Sequence, residues 1–462
     1  MIQNTIIFFI KNALEWLRHG EHPRSAAERV QRMEATGSGV LVVLFLVAVS
    51  ILFINQDLHG QTLDDYLVEA AEANPELKSK FYDYQASLER VPQVGSLPDP
   101  QASFGYFIRP MEFPMGNQRA DLSLMQMFPW FGTLGAREDA ASRMALARYE
   151  AFLDAKNQLY YDVKTVWYEL YELESEIKIM NENLDLLREL EEISQMRFQS
   201  TDTGTRGGGM SDVLRVRMEI NEMENMLALL VDSRAPMTAR FNKLLNRPAN
   251  LEVATADTLD IRVLTTADQA LLDNIIRDNP MIKMLEEEAG AFEVRERIAR
   301  LEGRPSFGAG LNYMIFSSPG NDAVSMGGRN MVMPMVTMTI PIYREKYRAR
   351  EREARFARES VLSSRENLTN ELSVQLSDVL RNLADAERRS DLYLRQTDLA
   401  DKSMDILITE YSGGLVRFEE VLRLQEQLLN YRLQLLRAVA DHNRHVARLD
   451  MLTATELSEI QD

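Results

Sequence analysis

The side chains able to do chemistry in this 462-residue chain are few, and most of them exclude chemistry rather than supply it. Cysteine is absent, which removes disulfides, thiolate metal sites and thiol nucleophiles together. Five histidines are present, and two of them precede residue 23, leaving little material for a zinc site. Gly-x-Ser-x-Gly, a phosphate loop and His-Glu-x-x-His do not occur. The stretch from Gly204 to Gly209 is rich in glycine but lacks the strand and lysine that a phosphate loop needs. Paired acids such as Glu191 and Glu192 fall on helix surfaces and read as solvated faces. Six methionines, Met125, Met127, Met314, Met331, Met333 and Met335, alternate with other residues in short segments. Their thioethers are soft donors suited to Cu(I), and they are equally adaptable apolar filling. Two carboxylates, Asp212 and Glu420, each stand directly before Val-Leu. No catalysis and no cofactor are expected from this inventory.

The elements that carry these residues follow from proline placement and apolar period. None of the fifteen prolines falls between Pro129 and Pro236, and none follows Pro341. A proline costs about 3 kcal/mol inside a helix, so these gaps permit long helices. The apolar pattern requires them: Phe152, Leu159, Val166, Leu173, Met180 and Leu187 step by seven, with Val163, Leu170, Ile177 and Leu184 as a second seam. Leu372, Val379, Ala386, Tyr393, Ala400 and Leu407 do the same later, and the return helices repeat it from Val213 and from Val421. Sustained sevens predict coiled-coil packing. The two helical hairpins are expected over 136–245 and 344–452, with turns at Ser200–Gly209 and Ser412–Gly414. At 1.5 Å per residue, Ala136 to Phe198 spans roughly 90 Å.

Motifs recur in order. Ala73-Asn74-Pro75 returns as Asp278-Asn279-Pro280, Ser103-Phe104-Gly105 as Ser306-Phe307-Gly308, and Phe128-Pro129-Trp130-Phe131 as Ile340-Pro341-Ile342-Tyr343. The chain beyond residue 60 therefore reads as one programme run twice: repeat 1 over 61–247, a linker over 248–267, repeat 2 over 268–455 and a tail over 456–462. Each repeat is read as a short helix, a β-hairpin (101–128 and 305–341) and a helical hairpin.

Four segments alternate with period two. Ala102, Phe104, Tyr106 and Ile108 face one way and Ser103 and Gly105 the other; Leu122, Leu124 and Phe128 oppose Asp121 and Ser123; Phe307, Ala309, Leu311, Tyr313 and Ile315 oppose Ser306, Gly308, Gly310 and Asn312. The fourth, Met331 to Ile340, alternates less cleanly. Lengths of about nine to eleven residues suit a tilted membrane strand. Four strands cannot close a barrel, and an open edge in lipid leaves backbone groups without partners, so several copies would have to share one wall. Three copies give twelve strands. If the polar side lines the interior, the six methionines share it. The competing readings are a soluble sheet over a coiled coil, a rod-like structural protein, and a periplasmic adaptor with one coiled-coil hairpin.

At this point the order and duplication of these motifs, with Tyr411-Ser412-Gly413-Gly414-Leu415 before a Val-Leu helix, resemble the TolC family of outer-membrane efflux proteins. The resemblance covers residues 62 to about 455, and Gln126 to Gly132 resembles its heavy-metal (copper and silver) branch. It implies an α+β membrane fold: a homotrimer with a 12-stranded outer-membrane β-barrel, four strands per chain, continued by a periplasmic α-helical coiled-coil barrel with an equatorial belt. It further implies a passive export duct without catalysis, working with a periplasmic membrane-fusion adaptor and an inner-membrane efflux transporter and embedded in outer-membrane lipid. The resemblance also assigns positions. Tyr411, Asp212, Glu420 and Arg423 become pore-aperture candidates, Arg423 departing from the acidic residue the family carries there. The adaptor-docking tips become Gly207, Gly208 and Gly209 in the first hairpin and Ser412, Gly413, Gly414 and Leu415 in the second. Three-fold carboxylates would form a cation-attracting ring; an N-terminal helix charge is the alternative.

The formal net charge of −18 argues against a nucleic-acid partner. Residues 1–60 read as a signal or targeting segment. Its apolar core, Val40 to Ile54, is shorter than the roughly 20 residues a membrane-spanning helix needs and suits an export signal flanked by Arg29 and Arg32. Met33 is a candidate start, Leu58-His59-Gly60 a weak cleavage site, and an uncleaved inner-membrane anchor the alternative.

Overall fold

The computed structural model describes residues 62–113, 116–200, 209–256, 258–261, 268–317 and 330–454. The expected targeting segment, Gly207, Gly208, part of the linker and the tail lie outside the described residues. Twelve elements follow in order: α1 (Leu63–Ala73), α2 (Pro75–Gly95), β1 (Gln101–Phe113), β2 (Gly116–Phe128), α3 (Thr133–Ser200), α4 (Met210–Leu244), α5 (Asp268–Asp278), α6 (Pro280–Glu302), β3 (Ser306–Ser317), β4 (Met331–Thr339), α7 (Arg344–Ser412) and α8 (Phe418–Thr453).

The short leading helix expected in each half is in fact two helices, broken at Asn-Pro. Proline at the first helical position has no N–H to lose, and the asparagine before it is held in extended backbone. Asn74 Oδ1 accepts from the backbone N–H of Glu76 and Leu77 at 2.9 and 3.0 Å, capping α2. Its amide donates to the carbonyl of Leu244, at the end of α4, at 2.8 Å. Asn279 repeats both roles: it caps α6 through Met281 and Ile282 and donates to Leu452 near the end of α8 at 3.2 Å. One side chain thus starts a helix and satisfies an orphan carbonyl at the end of another.

The long helices follow the sevens. α3 has 68 residues and α7 has 69, each about 100 Å long. Leu159, Val166, Leu173, Met180 and Leu187 are buried, as are Val163, Leu170, Ile177 and Leu184; Leu372, Val379, Ala386 and Ala400 are buried on α7. Their cores are distributed along the hairpins. Tyr66, Phe241, Trp167 and Leu245 pack where α1 meets α3 and α4. Leu187, Leu190, Val216 and Val421 pack toward the hairpin turns, and Leu271, Ile275, Leu376 and Leu449 pack α5 against the second hairpin. Among the described linker residues, Ala254 accepts from Trp167 Nε1 at 3.1 Å and donates its N–H to Tyr66 Oη at 2.9 Å, so this irregular chain is tied to the helices by its backbone groups.

The strands form one antiparallel sheet in the order β1-β2-β3-β4. They have 13, 13, 12 and 9 residues, the first three longer than expected. Register settles their faces, because residues paired across a ladder point the same way. Phe104 pairs with Leu122, Leu122 with Tyr313 and Tyr313 with Val332; Ala102, Leu124, Leu311 and Pro334 form the next apolar row. β4 therefore alternates as regularly as the others, with Val332, Pro334, Val336 and Met338 on the apolar face. Pro334 lies on β4, which within this chain pairs with β3 alone. Ile108 falls inside a register shift between Tyr106 and Met111.

Among the described residues no helix is long and apolar enough to cross a membrane. Replacing Asn279 with Ala removes a cap and leaves the Leu452 carbonyl unpaired. A loss of about 2 kcal/mol in denaturant unfolding is expected, and an unchanged midpoint would contradict the double role.

Candidate functional site

Two places gather the residues singled out above: the turn of the second hairpin and the polar face of the sheet.

At the turn, α7 ends in a Schellman arrangement. The N–H of Leu415 donates to the Glu410 carbonyl at 2.9 Å and that of Gly414 to the Tyr411 carbonyl at 3.0 Å. Gly414 has φ +78°, the left-handed conformation the turn requires, whereas Gly413 has φ −79° and needs no glycine. Ser412, Gly413, Gly414 and Leu415 are all exposed, Leu415 at 80%. In the first hairpin, Gly209 is the extended cap residue of α4.

Tyr411 is not an exposed aperture residue within one chain. It is buried, with its hydroxyl 3.0 Å from Ser194 Oγ, its ring under the Arg197 guanidinium at 4.2 Å, and Phe418 at 5.6 Å. Ser194 and Arg197 belong to α3, so Tyr411 fastens the second hairpin to the first. A second tie lies nearby: Arg215 of α4 donates to Glu419 of α8 at 2.7 Å. That hydrogen bond holds the Glu419 carboxyl below its usual range, and Arg417 adds to the effect. The sign follows: the tie is intact at neutral pH and is released only as pH falls below the ordinary carboxylate range near 4.

Asp212 and Glu420 are each the third residue of their helix, at the starts of α4 and α8. Among the described residues no hydrogen bond or ion pair joins them. Glu420 and Arg423 are exposed and Asp212 is half-buried. Sequence reasoning missed Ser194, Arg197, Arg215 and Glu419. Ser194 had a faint signal, since it falls seven residues after Leu187 on the apolar seam, where a hydroxyl needs a partner.

On the sheet, the six methionines do share one face. Ser103, Ser123, Asn312 and Met333 form one row; Gly105, Asp121, Met314 and Met331 the next; Gln101, Met125, Gly310 and Met335 a third; and Met127, Gly308 and Thr337 a fourth. Ser103 and Ser123 hydroxyls are 2.6 Å apart, and Asn312 Oδ1 has no hydrogen-bond partner among the described residues. The opposite face carries aromatic and aliphatic side chains that no described residue covers: Phe104 is 68%, Tyr106 66% and Val336 85% exposed. One face is apolar but for Gln126, which falls in the row of Ala309 and Val336; the other mixes hydroxyls, an amide, the Asp121 carboxylate and thioethers.

Comparison with known proteins adds the architecture. No protein-family model matches the sequence, and no curated protein matches it either. Solved structures do. The outer-membrane channel OprN is similar at a TM-score of 0.70 and 16% identity, over 85% of this chain and 89% of that one. CusC, described for its transmembrane channel formation, is similar at 0.69 and 16%, over 86% and 92%. The outer membrane protein VceC from Vibrio cholerae is similar at 0.68 and 15%, over 85% and 96%. The chain therefore has the fold of the TolC-type outer-membrane channels, the fold that its duplicated motifs resembled.

Proposed function

We propose that this chain is the outer-membrane channel subunit of a tripartite efflux system, a passive duct rather than an enzyme. The observation that carries the reading is the sheet: one predominantly apolar face that no described residue covers, beside two edges that the described chain leaves open. In water such a face and such edges are liabilities. In lipid the face is satisfied, and the edges are satisfied only by closure. Three copies of a duplicated chain supply twelve strands, a barrel wide enough for an aqueous interior. The long hairpins then extend from the outer membrane into the periplasm. Their turns meet the adaptor, with Ser412 to Leu415 in the second hairpin and Gly207 to Gly209 in the first. The Tyr411 contact and the Arg215–Glu419 pair hold the two hairpins together in the resting duct, and opening requires their release. Glu420 and Asp212, repeated by three-fold symmetry, form rings of negative charge near that end.

An adaptor or another coiled-coil protein of the envelope is the alternative, favoured only by the hairpins; it gives no use for the apolar sheet face. Fractionation separates the readings: an outer-membrane, heat-resistant trimer that conducts in planar bilayers is expected, and an inner-membrane monomer without conductance contradicts the proposal. Tyr411→Ala is expected to raise conductance of the resting channel several-fold by removing the buried tie, of order 2 kcal/mol; Tyr411→Phe, which keeps the ring contacts, should have a smaller effect. An unchanged resting conductance in Tyr411→Ala removes Tyr411 from the gate. Glu420→Ala is expected to weaken divalent-cation block in single-channel recordings, and identical block and selectivity would refute the ring.

A further inference from the structure

We propose that Met125 and Met127, with Met335 beyond them, form a binding site for a soft monovalent metal ion, Cu(I) or Ag(I), on the polar face of the sheet. The pair is brought together by two glycines. A Cβ added at Gly308 would stand 2.6 Å from Met127 Sδ and 3.2 Å from Met125 Sδ. Both sulfurs therefore lie close to one point, and their separation cannot exceed the sum of those two distances. A metal–sulfur bond of about 2.3 Å lets one ion bridge sulfurs roughly 4 Å apart, and the three rotatable bonds of each methionine can supply the remaining adjustment. At Gly310 a Cβ would meet Met125 Cε at 2.9 Å and Sδ at 3.0 Å. Gly310 pairs with Met125 on one side and Met335 on the other, which places the third thioether across the same bare backbone.

Glycine inside a strand weakens it and marks close approach of another group. Here the approaching groups are thioethers, and alanine at 308 would displace Met127. The donor set is selective. Thioethers favour Cu(I) over hard cations, and among the described residues no three His, Cys, Asp or Glu converge to compete for a metal. The ligands are uncharged, so the ion keeps its charge and is held weakly. A site on a conduction path must release what it binds. The site itself rests on register and on the closeness of both sulfurs to Gly308; its use in export rests on the duct reading, in which this face lines the lumen.

The test uses the purified full chain in detergent and a chloride-free buffer, titrated calorimetrically with silver nitrate. Wild type is expected to bind Ag(I) with an affinity that falls at least about tenfold in Met125→Leu/Met127→Leu, a near-isosteric change. Met338→Leu, on the apolar face, should leave binding unchanged. Equal affinities in wild type and the double variant overturn the proposal. Should the double variant fail to fold, wild type alone decides: Ag(I) must slow peroxide oxidation of Met125 and Met127, read by mass spectrometry, relative to Met338. Equal rates with and without Ag(I) overturn the site. Conductance measured on the same wild-type preparation keeps the two ideas apart, because a conducting channel that ignores Ag(I) loses the site and retains the duct.

Discussion

A β-strand carries a row of N–H and C=O groups along each edge, and removing such a row from water without partners costs several kcal/mol per group. The sheet in this chain has an apolar face suited to lipid and too few strands to close on itself. These two properties conflict in a single chain and agree only in an assembly. In the proposed trimer, much of the remaining structure serves that assembly. The antiparallel order β1-β2-β3-β4 joins the two halves through the β2–β3 ladder, making one continuous four-stranded segment rather than two separate hairpins. Arg137 and Arg350 both bond Glu302, bracing α3 and α7 against α6 just below the strands. Exposed pairs of this kind are each worth little; their value lies in fixing how the helices leave the sheet.

At the other end of the hairpins the chemistry changes from shape to attachment. Buried polar contacts interrupt the apolar seams here: Asn183 with Gln425 at 2.8 Å, before Leu184, Leu187 and Leu190, and Tyr411 with Ser194 beyond them. Buried polar pairs contribute less net stability than an apolar filling would, and their separation can be offset by water. An apolar junction interrupted by them parts more readily than one of leucines alone. In the proposed duct, this is the physical reason to place a gate near the turn rather than halfway along the hairpins.

The sequence was most informative where one element suffices. Burial every seven residues disclosed the helices, since Leu187 and Val379 need only their own neighbours in sequence to reveal a seam. Period two disclosed the strands, and it even assigned the six methionines to one face. The Asn-Pro motifs were visible, but their second role was not, because Asn74 and Asn279 also reach carbonyls some 170 residues away. Tyr411 was read as a gate or aperture candidate, but its burial was not legible, because its partners, Ser194 and Arg197, lie on another helix more than 200 residues earlier. The convergence of Met125 and Met127 over Gly308 depends on the offset between β2 and β3, which neither strand's own sequence encodes.

The assembly is tested most directly by imaging the purified protein end-on in a lipid nanodisc. The account predicts three chains around one pore, with four strands from each in a single twelve-stranded wall. A water-soluble monomer, or particles in which each sheet stands alone outside the bilayer, would contradict it.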